Sequence, residues 1–482
     1  MREFGIRVKE SPLAIERYHR LKSLAGEILG QSQNPSAARR LLAEGAKVTN
    51  PSVWASFWEH TLICPVLGRK LAEESAGYGI LINPQETEVG LWVHELGRLV
   101  VSGAFYRNDL IDYSILRDFM PRKFLDNLPS TENLMKVAKT SNLDDEQLSF
   151  KTGLTPQQTE MALDYFNGMT PNQRIVNLAD NLGKRGPNGL FTLESFISYL
   201  ESQEQRYVPQ EPKRDEWPSI SWAKARRRAG AVLQAYTVKK TVEWLRETGV
   251  DFDSIIEELR DYGPKFVVVA RHGELDNPNN IVYNRDEVMN PEDVIHLNEK
   301  GRIQMRDLAS LLVKRGFKIS NIVGSPHKRA EESVDELKNV LGITNVAFSD
   351  AIKDVYAPGP YREGMTMKQL QEISGDIYDK NRWGQYDHEN QVAVIVRMKS
   401  AFWAMANQLK AGETGLLLSH GDPIAWLVNT LDADVVPSPE ALRSLQYPGK
   451  GEAVLVVIHP DGSVFTRYIL RDESIQSPSK IY

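Results

Sequence analysis

Three short apolar runs in the second half of the chain each end abruptly in residues able to handle a phosphoryl group. Phe266-Val267-Val268-Val269-Ala270 is followed by Arg271-His272-Gly273-Glu274. Ile322-Val323-Gly324 runs into Ser325-Pro326-His327-Lys328-Arg329, and Leu416-Leu417-Leu418 into Ser419-His420-Gly421-Asp422-Pro423. A neutral imidazole is a nucleophile toward phosphorus, and a guanidinium presents a rigid fork of donors to phosphate oxygens. His272, His420, Arg271 and Arg329 together are the set a phosphoryl pocket needs: one ring attacks while the other groups stabilise the oxygens. Gly273 lets the backbone come close to a ligand, and Ser325 and Asp422 are further candidates to line the pocket.

Such residues need a rigid support. Short runs rich in β-branched residues read as buried strands of a parallel sheet, and in open α/β sheets ligands bind beyond the carboxyl ends of the strands. From residue 265 the pattern alternates, with strands at 266–270, 320–324, 416–419 and 453–458 and helices near 299–315, 328–341, 366–374, 391–411 and 423–430. The alternation predicts an α/β domain, a mostly parallel sheet sandwiched by helices. Residues 276–295 form a long polar insertion just after the first motif, placed to shape substrate entry.

In their order and spacing these motifs resemble the histidine phosphatase superfamily, which includes the phosphoglycerate mutases, over residues 263–482. Leu297-Asn298-Glu299-Lys300-Gly301-Arg302-Ile303-Gln304-Met305 is similar to that family's Leu-Thr-Glu-x-Gly-x-x-Gln-Ala helix start. The resemblance implies His272 as the phosphate-accepting nucleophile, Arg271, Arg329 and His420 as the phosphate pocket, a small phosphorylated substrate and no required cofactor. The leaving oxygen needs an acid. Asp354 falls where the family has a glutamate, with Asp422 and Glu363 as alternatives. His327 stands where the family usually has an apolar residue, and a packing role is the simpler expectation for it. His19, His296, His388 and His459 lie in no motif. A phosphatase and a mutase differ in how long the phosphoenzyme survives water. The sequence leaves both open, beside a phosphate-binding protein without turnover.

Residues 1–212 read as all-α. Leu21, Leu24 and Ile28 share one helix face, the run from Trp54 to Ala76 keeps helical spacing, and Asn50-Pro51 and Asn83-Pro84 punctuate the segment. His60, the pair His94-Glu95, and Asp180 in Leu178-Ala179-Asp180-Asn181-Leu182-Gly183-Lys184 are candidate metal ligands, since imidazoles and carboxylates on facing helices build metal sites in bundles. The set resembles the HD domain, a helical metal-dependent phosphohydrolase fold with ligands in the order His, His-Asp, Asp, except that Glu95 replaces the aspartate. The resemblance implies a divalent metal and either a second phosphohydrolase or a regulatory domain. Residues 213–262 form a helical linker, with helices at 221–246 and 252–262, before the domain at 263–482.

Composition sets the remaining bounds. The 482 residues are 41% hydrophobic and 25% charged, an ordinary globular balance. A net charge of -6 provides no basic field for nucleic acid, and Arg226-Arg227-Arg228 is a short solvated helix face. One cysteine, Cys64, cannot form an intramolecular disulfide and fits a reducing, cytoplasmic setting. No apolar run approaches the ~18 residues of a membrane span, and Met1-Arg2-Glu3-Phe4-Gly5 lacks the apolar core of a signal peptide.

Overall fold

In the computed structural model, residues 12–51, 53–100, 108–125, 156–186, 189–206, 220–278, 294–355, 366, 368–369, 372, 389, 391–432 and 448–470 are described. The chain forms two units, Met1–Thr49 with Ser56–Tyr262, and Asn50–Ala55 with Gly263–Tyr482.

Helical spacing dominates the first unit. Its longer helices are α1 (Pro12–Leu29), α2 (Pro35–Thr49), α3 (Ala55–Gly77), α4 (Pro84–Val93), α5 (Asn108–Leu116), α6 (Pro156–Gly168), α7 (Pro171–Leu182), α8 (Leu193–Arg206), α9 (Ile220–Glu247) and α10 (Phe252–Glu258). The starts of α4 and α7 are fixed locally. Asn83 accepts from the Gln85 and Glu86 amides, and Thr170 and Gln173 form a reciprocal capping box. Ile63, Leu67 and Leu71 of α3, Ile175 and Leu178 of α7, and Val238, Val242 and Leu245 of α9 share one buried core with Phe252 and Ile256 of α10. The helices expected as a linker therefore complete the core of this unit. The all-α reading also needs a correction: Arg185–Gly186 and Gly189–Leu190 pair as a small antiparallel hairpin. Gly189, at φ 111°, supplies the backbone conformation that side chains avoid there.

The second unit is built on a six-stranded sheet. Its strands are β1 (Lys265–Arg271), β2 (Lys318–Gly324), β3 (Val346–Phe348), β4 (Glu413–Ser419), β5 (Ala453–Ile458) and β6 (Val464–Leu470). Their spatial order is β3-β2-β4-β1-β5-β6. The β2–β3, β2–β4 and β1–β4 pairs are parallel, whereas β1–β5 and β5–β6 are antiparallel. Two strands escape sequence reading. β3 is three residues long on an edge and half-exposed, and β6 interrupts its apolar residues with Thr466 and Arg467. The interior residues of β1 and β4 are buried on both faces, as parallel strands under helices must be.

Among the described residues, α12 (Lys328–Leu341), α13 (Gln391–Gln408) and α14 (Gly421–Thr430) pack on this sheet, with α11 (Glu299–Lys314) beside α12. Val394, Met398 and Phe402 of α13 and Ile424 and Leu427 of α14 pack with Val267, Val269, Leu417 and Val456 of the sheet. α11 and α12 pack against each other. A helix at 366–374 falls largely outside the described residues, as do residues 279–293 of the polar insertion. The insertion's near ends meet in a bridge between Leu275 and Leu297. Among the described residues no helix is long and apolar enough to cross a membrane.

One close approach ties the end of β1 to the start of α11. A Cβ added to Gly273 would lie 2.4 Å from the Gly301 carbonyl oxygen, and one added to Gly301 would lie 2.1 Å from that of Glu274. Backbone cannot yield as a flexible side chain does. Gly301→Ala should therefore lower the unfolding free energy by about 1–3 kcal/mol, the usual scale of forced overpacking. Urea denaturation measures it, and an unchanged midpoint would mean that the approach can relax freely.

Candidate active site

The site follows from strand register. In the parallel pair β1–β4, Arg271 stands opposite Ser419, so the next residue on each strand is a histidine and the two rings become neighbours. The His272 amide donates to the Ser419 carbonyl at 3.2 Å, and the ring centroids of His272 and His420 are 5.2 Å apart. On the other side of β4, Gly324 pairs with Leu418 and the Ser325 amide donates to the Leu418 carbonyl at 2.9 Å. Ser325 Oγ then lies 2.8 Å from His420 Nε2. Three parallel strands thus deliver their polar ends to one place.

Each ring has a defined orientation. Because a carbonyl can only accept, the 2.9 Å contact between His272 Nδ1 and the Gly273 carbonyl fixes the proton on Nδ1 and leaves the Nε2 lone pair available. His327 and His420 are the cap residues of α12 and α14, yet neither side chain caps its helix. Their rings instead pack edge to face, 5.1 Å between centroids at 87°. His327, expected to serve packing, is buried and packs its ring against that of His420.

Arg329, in the first turn of α12, is buried and donates from Nη2 to Asp354 Oδ2 at 2.9 Å. The same carboxylate oxygen is 3.5 Å from His420 Nδ1. Asp354 follows the 3-10 turn Asp350–Ile352, which is held from two sides. Ser419 Oγ donates to the Ile352 carbonyl at 2.8 Å, and Arg397 of α13 donates to the carbonyls of Ala351, Lys353 and Asp354 at 3.0, 2.8 and 3.0 Å. Arg397 was not legible as a site residue, because its spacing is that of any helix-surface cation. Ser333 was missed too: it accepts from the Gly273 amide at 3.2 Å and donates to the Arg329 carbonyl at 2.8 Å, joining the β1 turn to α12. Arg271 reaches the Pro448 carbonyl at 3.2 Å.

The remaining candidates divide. Gly273 is close-packed on Gly301 backbone, which gives its missing side chain a structural reason besides ligand approach. Asp422 is half-buried in the first turn of α14, inside the helix and not at its cap. Glu363 lies outside the described residues.

Burial is the largest cause that lowers the proton affinity of both rings. For His272, Arg329 and then Arg271 add to it; for His420, Arg329, His272 and His327 add to it. Both are held well below the ordinary imidazole range, so at neutral pH His272 carries the free electron pair that attack requires.

In the first unit all four candidate metal ligands converge. His60 Nε2 and His94 Nε2 are 3.1 Å apart, and each is 3.1–3.2 Å from Asp180 Oδ1. Glu95 Oε1 lies 3.6 Å from His60 Nε2, while its other oxygen pairs with Arg98. Both Nδ1 atoms donate to backbone carbonyls, that of His60 to Gly183 at 3.1 Å and that of His94 to Leu91 at 2.7 Å. Gly183 must be glycine for this, since a Cβ there would lie 2.3 Å from Cys64 Sγ. With those protons committed, two ring lone pairs and a carboxylate face one another. A proton satisfies one pair of them, whereas a divalent cation satisfies all three. Bonds of about 2.0–2.2 Å set ligand atoms about 3.0–3.5 Å apart, so the donor set fits a metal.

With this geometry, residues 267–469 match the histidine phosphatase superfamily (branch 1). The C-terminal region belongs to that superfamily, and the match does not extend into the first unit. No curated protein matches the chain in sequence. Among solved structures, a mycobacterial glucosyl-3-phosphoglycerate phosphatase is 20% identical, covering 43% of this chain and 97% of its own, with a TM-score of 0.35. The alpha-ribazole phosphatase from Shigella flexneri is 17% identical over 44% of this chain and 100% of its own, TM-score 0.35. YhfR of Bacillus stearothermophilus is 20% identical over 42% and 94%, TM-score 0.35.

The buried neutral rings make stability depend on pH. Unfolded histidine takes up a proton near about 6.5, and the folded rings do so only at lower pH. Below about 6.5 the unfolded state therefore binds more protons, and stability is lost as the pH falls, by up to about 1.4 kcal/mol per unit for each ring. Unfolding free energies at pH 7.5 and 5.0 should differ less in His420→Gln than in the native chain; an equal difference would mean that His420 is not held neutral.

Proposed function

We propose that the second unit is a phosphomonoester phosphatase that works through a phosphohistidine on His272. The observation that carries this reading is the buried, neutral His272, with its Nδ1 proton on the Gly273 carbonyl and a second imidazole 5.2 Å away. Nε2 attacks phosphorus, the bond to the leaving oxygen breaks, and Asp354, which takes up a proton once the substrate phosphate replaces it on Arg329, gives that oxygen its proton. Arg271, Arg329 and His420 donate to the phosphoryl oxygens, fixed in place before the reaction begins. Water then attacks the phosphoenzyme, Asp354 takes its proton, and the phosphorus–nitrogen bond breaks to release phosphate. Asp354 is favoured over Asp422 because it contacts both Arg329 and the His420 side of the pocket.

In the first unit we infer that His60, His94 and Asp180 hold a divalent cation, with Glu95 in reach as a fourth group. Such an ion supplies Lewis-acid polarisation of an oxygen ligand. The protein's own part is to fix both imidazoles through the Gly183 and Leu91 carbonyls.

Release of phosphate from an aryl phosphate tests the first reading. Activity should resist chelators, fall about a thousandfold or more in His272→Ala, and fall about 10²–10⁴-fold in Asp354→Asn. Activity kept in His272→Ala would remove the phosphohistidine mechanism. Equilibrium dialysis tests the second: one Mn²⁺ per chain is expected, with Asp180→Ala losing more than the about 10–100-fold typical of removing an outer partner. Equal binding by both chains would place the metal elsewhere.

A further inference from the structure

His420 has two ring nitrogens in different surroundings, and which one carries the proton decides what the ring can do for a phosphate. Nε2 is 2.8 Å from Ser325 Oγ, and Nδ1 is 3.5 Å from Asp354 Oδ2 with no hydrogen bond of its own although fully buried. A hydroxyl both donates and accepts, so the contact with Ser325 alone allows either tautomer.

One feature permits the Nδ1–H tautomer and a second selects it. The Ser325 oxygen already receives the His327 backbone N–H, at 3.5 Å across the start of α12. Accepting there uses one of the hydroxyl's two lone pairs and leaves its proton for His420 Nε2. The second feature lies across the ring. Were Nε2 protonated, the Nδ1 lone pair would face the Asp354 carboxylate oxygen, two acceptors buried side by side. With the proton on Nδ1 the same approach becomes attractive.

We propose that Ser325 is a positioning residue that holds neutral His420 in the tautomer with its proton on Nδ1. This rests on reading His420 as a donor to the phosphoryl group. The Ser325 O–H donates to Nε2, Nδ1–H turns toward the pocket, and that N–H leans on Asp354 until a phosphate oxygen takes it. His327 supports the arrangement twice, through its amide on Ser325 Oγ and through its ring packed edge-on against His420. Here the chain departs from the apolar residue usual in the resembling family, and the extra imidazole sits against the donor ring.

The test is nitrogen NMR of the full chain labelled with [¹⁵N]histidine, near pH 7.5, where protonated and unprotonated ring nitrogens are resolved. His420→Gln identifies the His420 signals. The native chain should show His420 protonated on Nδ1. Ser325→Ala should admit a measurable share of the Nε2–H tautomer, with Asp354 alone holding the rest on Nδ1, and weaken binding of inorganic phosphate about tenfold, the scale of one lost hydrogen bond to a charged group. Ser325→Thr, which keeps the hydroxyl, should retain both properties. A native ring protonated on Nε2 overturns the proposal, and that measurement stands even if Ser325→Ala fails to fold. A folded Ser325→Ala chain with an unchanged His420 tautomer overturns it as well. An Nδ1-protonated ring in a chain that hydrolyses no phosphomonoester supports the tautomer while removing the phosphatase reading. Turnover by a chain whose native ring is protonated on Nε2 does the reverse.

Discussion

Everything in the C-terminal unit depends on the parallel pairing of β1 with β4 in one register. With Arg271 opposite Ser419, the first residue beyond each strand is a histidine, and no loop has to find its way to bring them together. A shift of one residue would send one of the two rings to the opposite face of the sheet. The register is held by the buried interiors of both strands, so the hydrophobic core and the spacing of the His272 and His420 rings are one constraint. Glycines at 273 and 301 then let the polar turn after β1 lie directly on the start of α11.

The electrostatics follow from the same geometry. Two guanidiniums stand beside two imidazoles in a buried place, and burial adds to their effect, so the rings stay neutral. A site with fixed positive charge and neutral imidazoles suits a phosphate dianion. It also costs the protein stability when protons are abundant, since the unfolded chain accepts what the folded one refuses. Asp354 offsets part of this field at Arg329, and Arg397 holds the turn that carries it. Asp354 is thereby positioned by a helix far from it in sequence.

The N-terminal unit applies a related logic to different donors. There the backbone carbonyls of Gly183 and Leu91 take the imidazole protons, which turns two ring nitrogens and a carboxylate toward one point. The tightness of the helix packing depends on small residues: a Cβ on Gly68 would meet Leu91 at 2.1 Å, and one on Gly183 would meet Cys64 at 2.3 Å. Glu95 reaches within 3.6 Å of His60 Nε2 while pairing with Arg98.

By itself the sequence determined the strand ends at His272, Arg329 and His420, the α/β alternation behind them, and the candidate ligands His60, His94 and Asp180. These were legible because each is local: an apolar run stops, and the residue at the stop is chemically distinctive. The edge strands β3 and β6, the hairpin at Arg185–Leu190 and the role of α9 and α10 in the first core were not legible, since pairing partners and burial are set by distant segments. Only the tertiary structure decided that Asp354 meets Arg329 and lies near His420, that His327 packs on His420, and that Ser325, Ser333 and Arg397 hold the groups around them. Those are contacts across tens of residues, fixed by register and packing, and no local pattern of residue types encodes a distance.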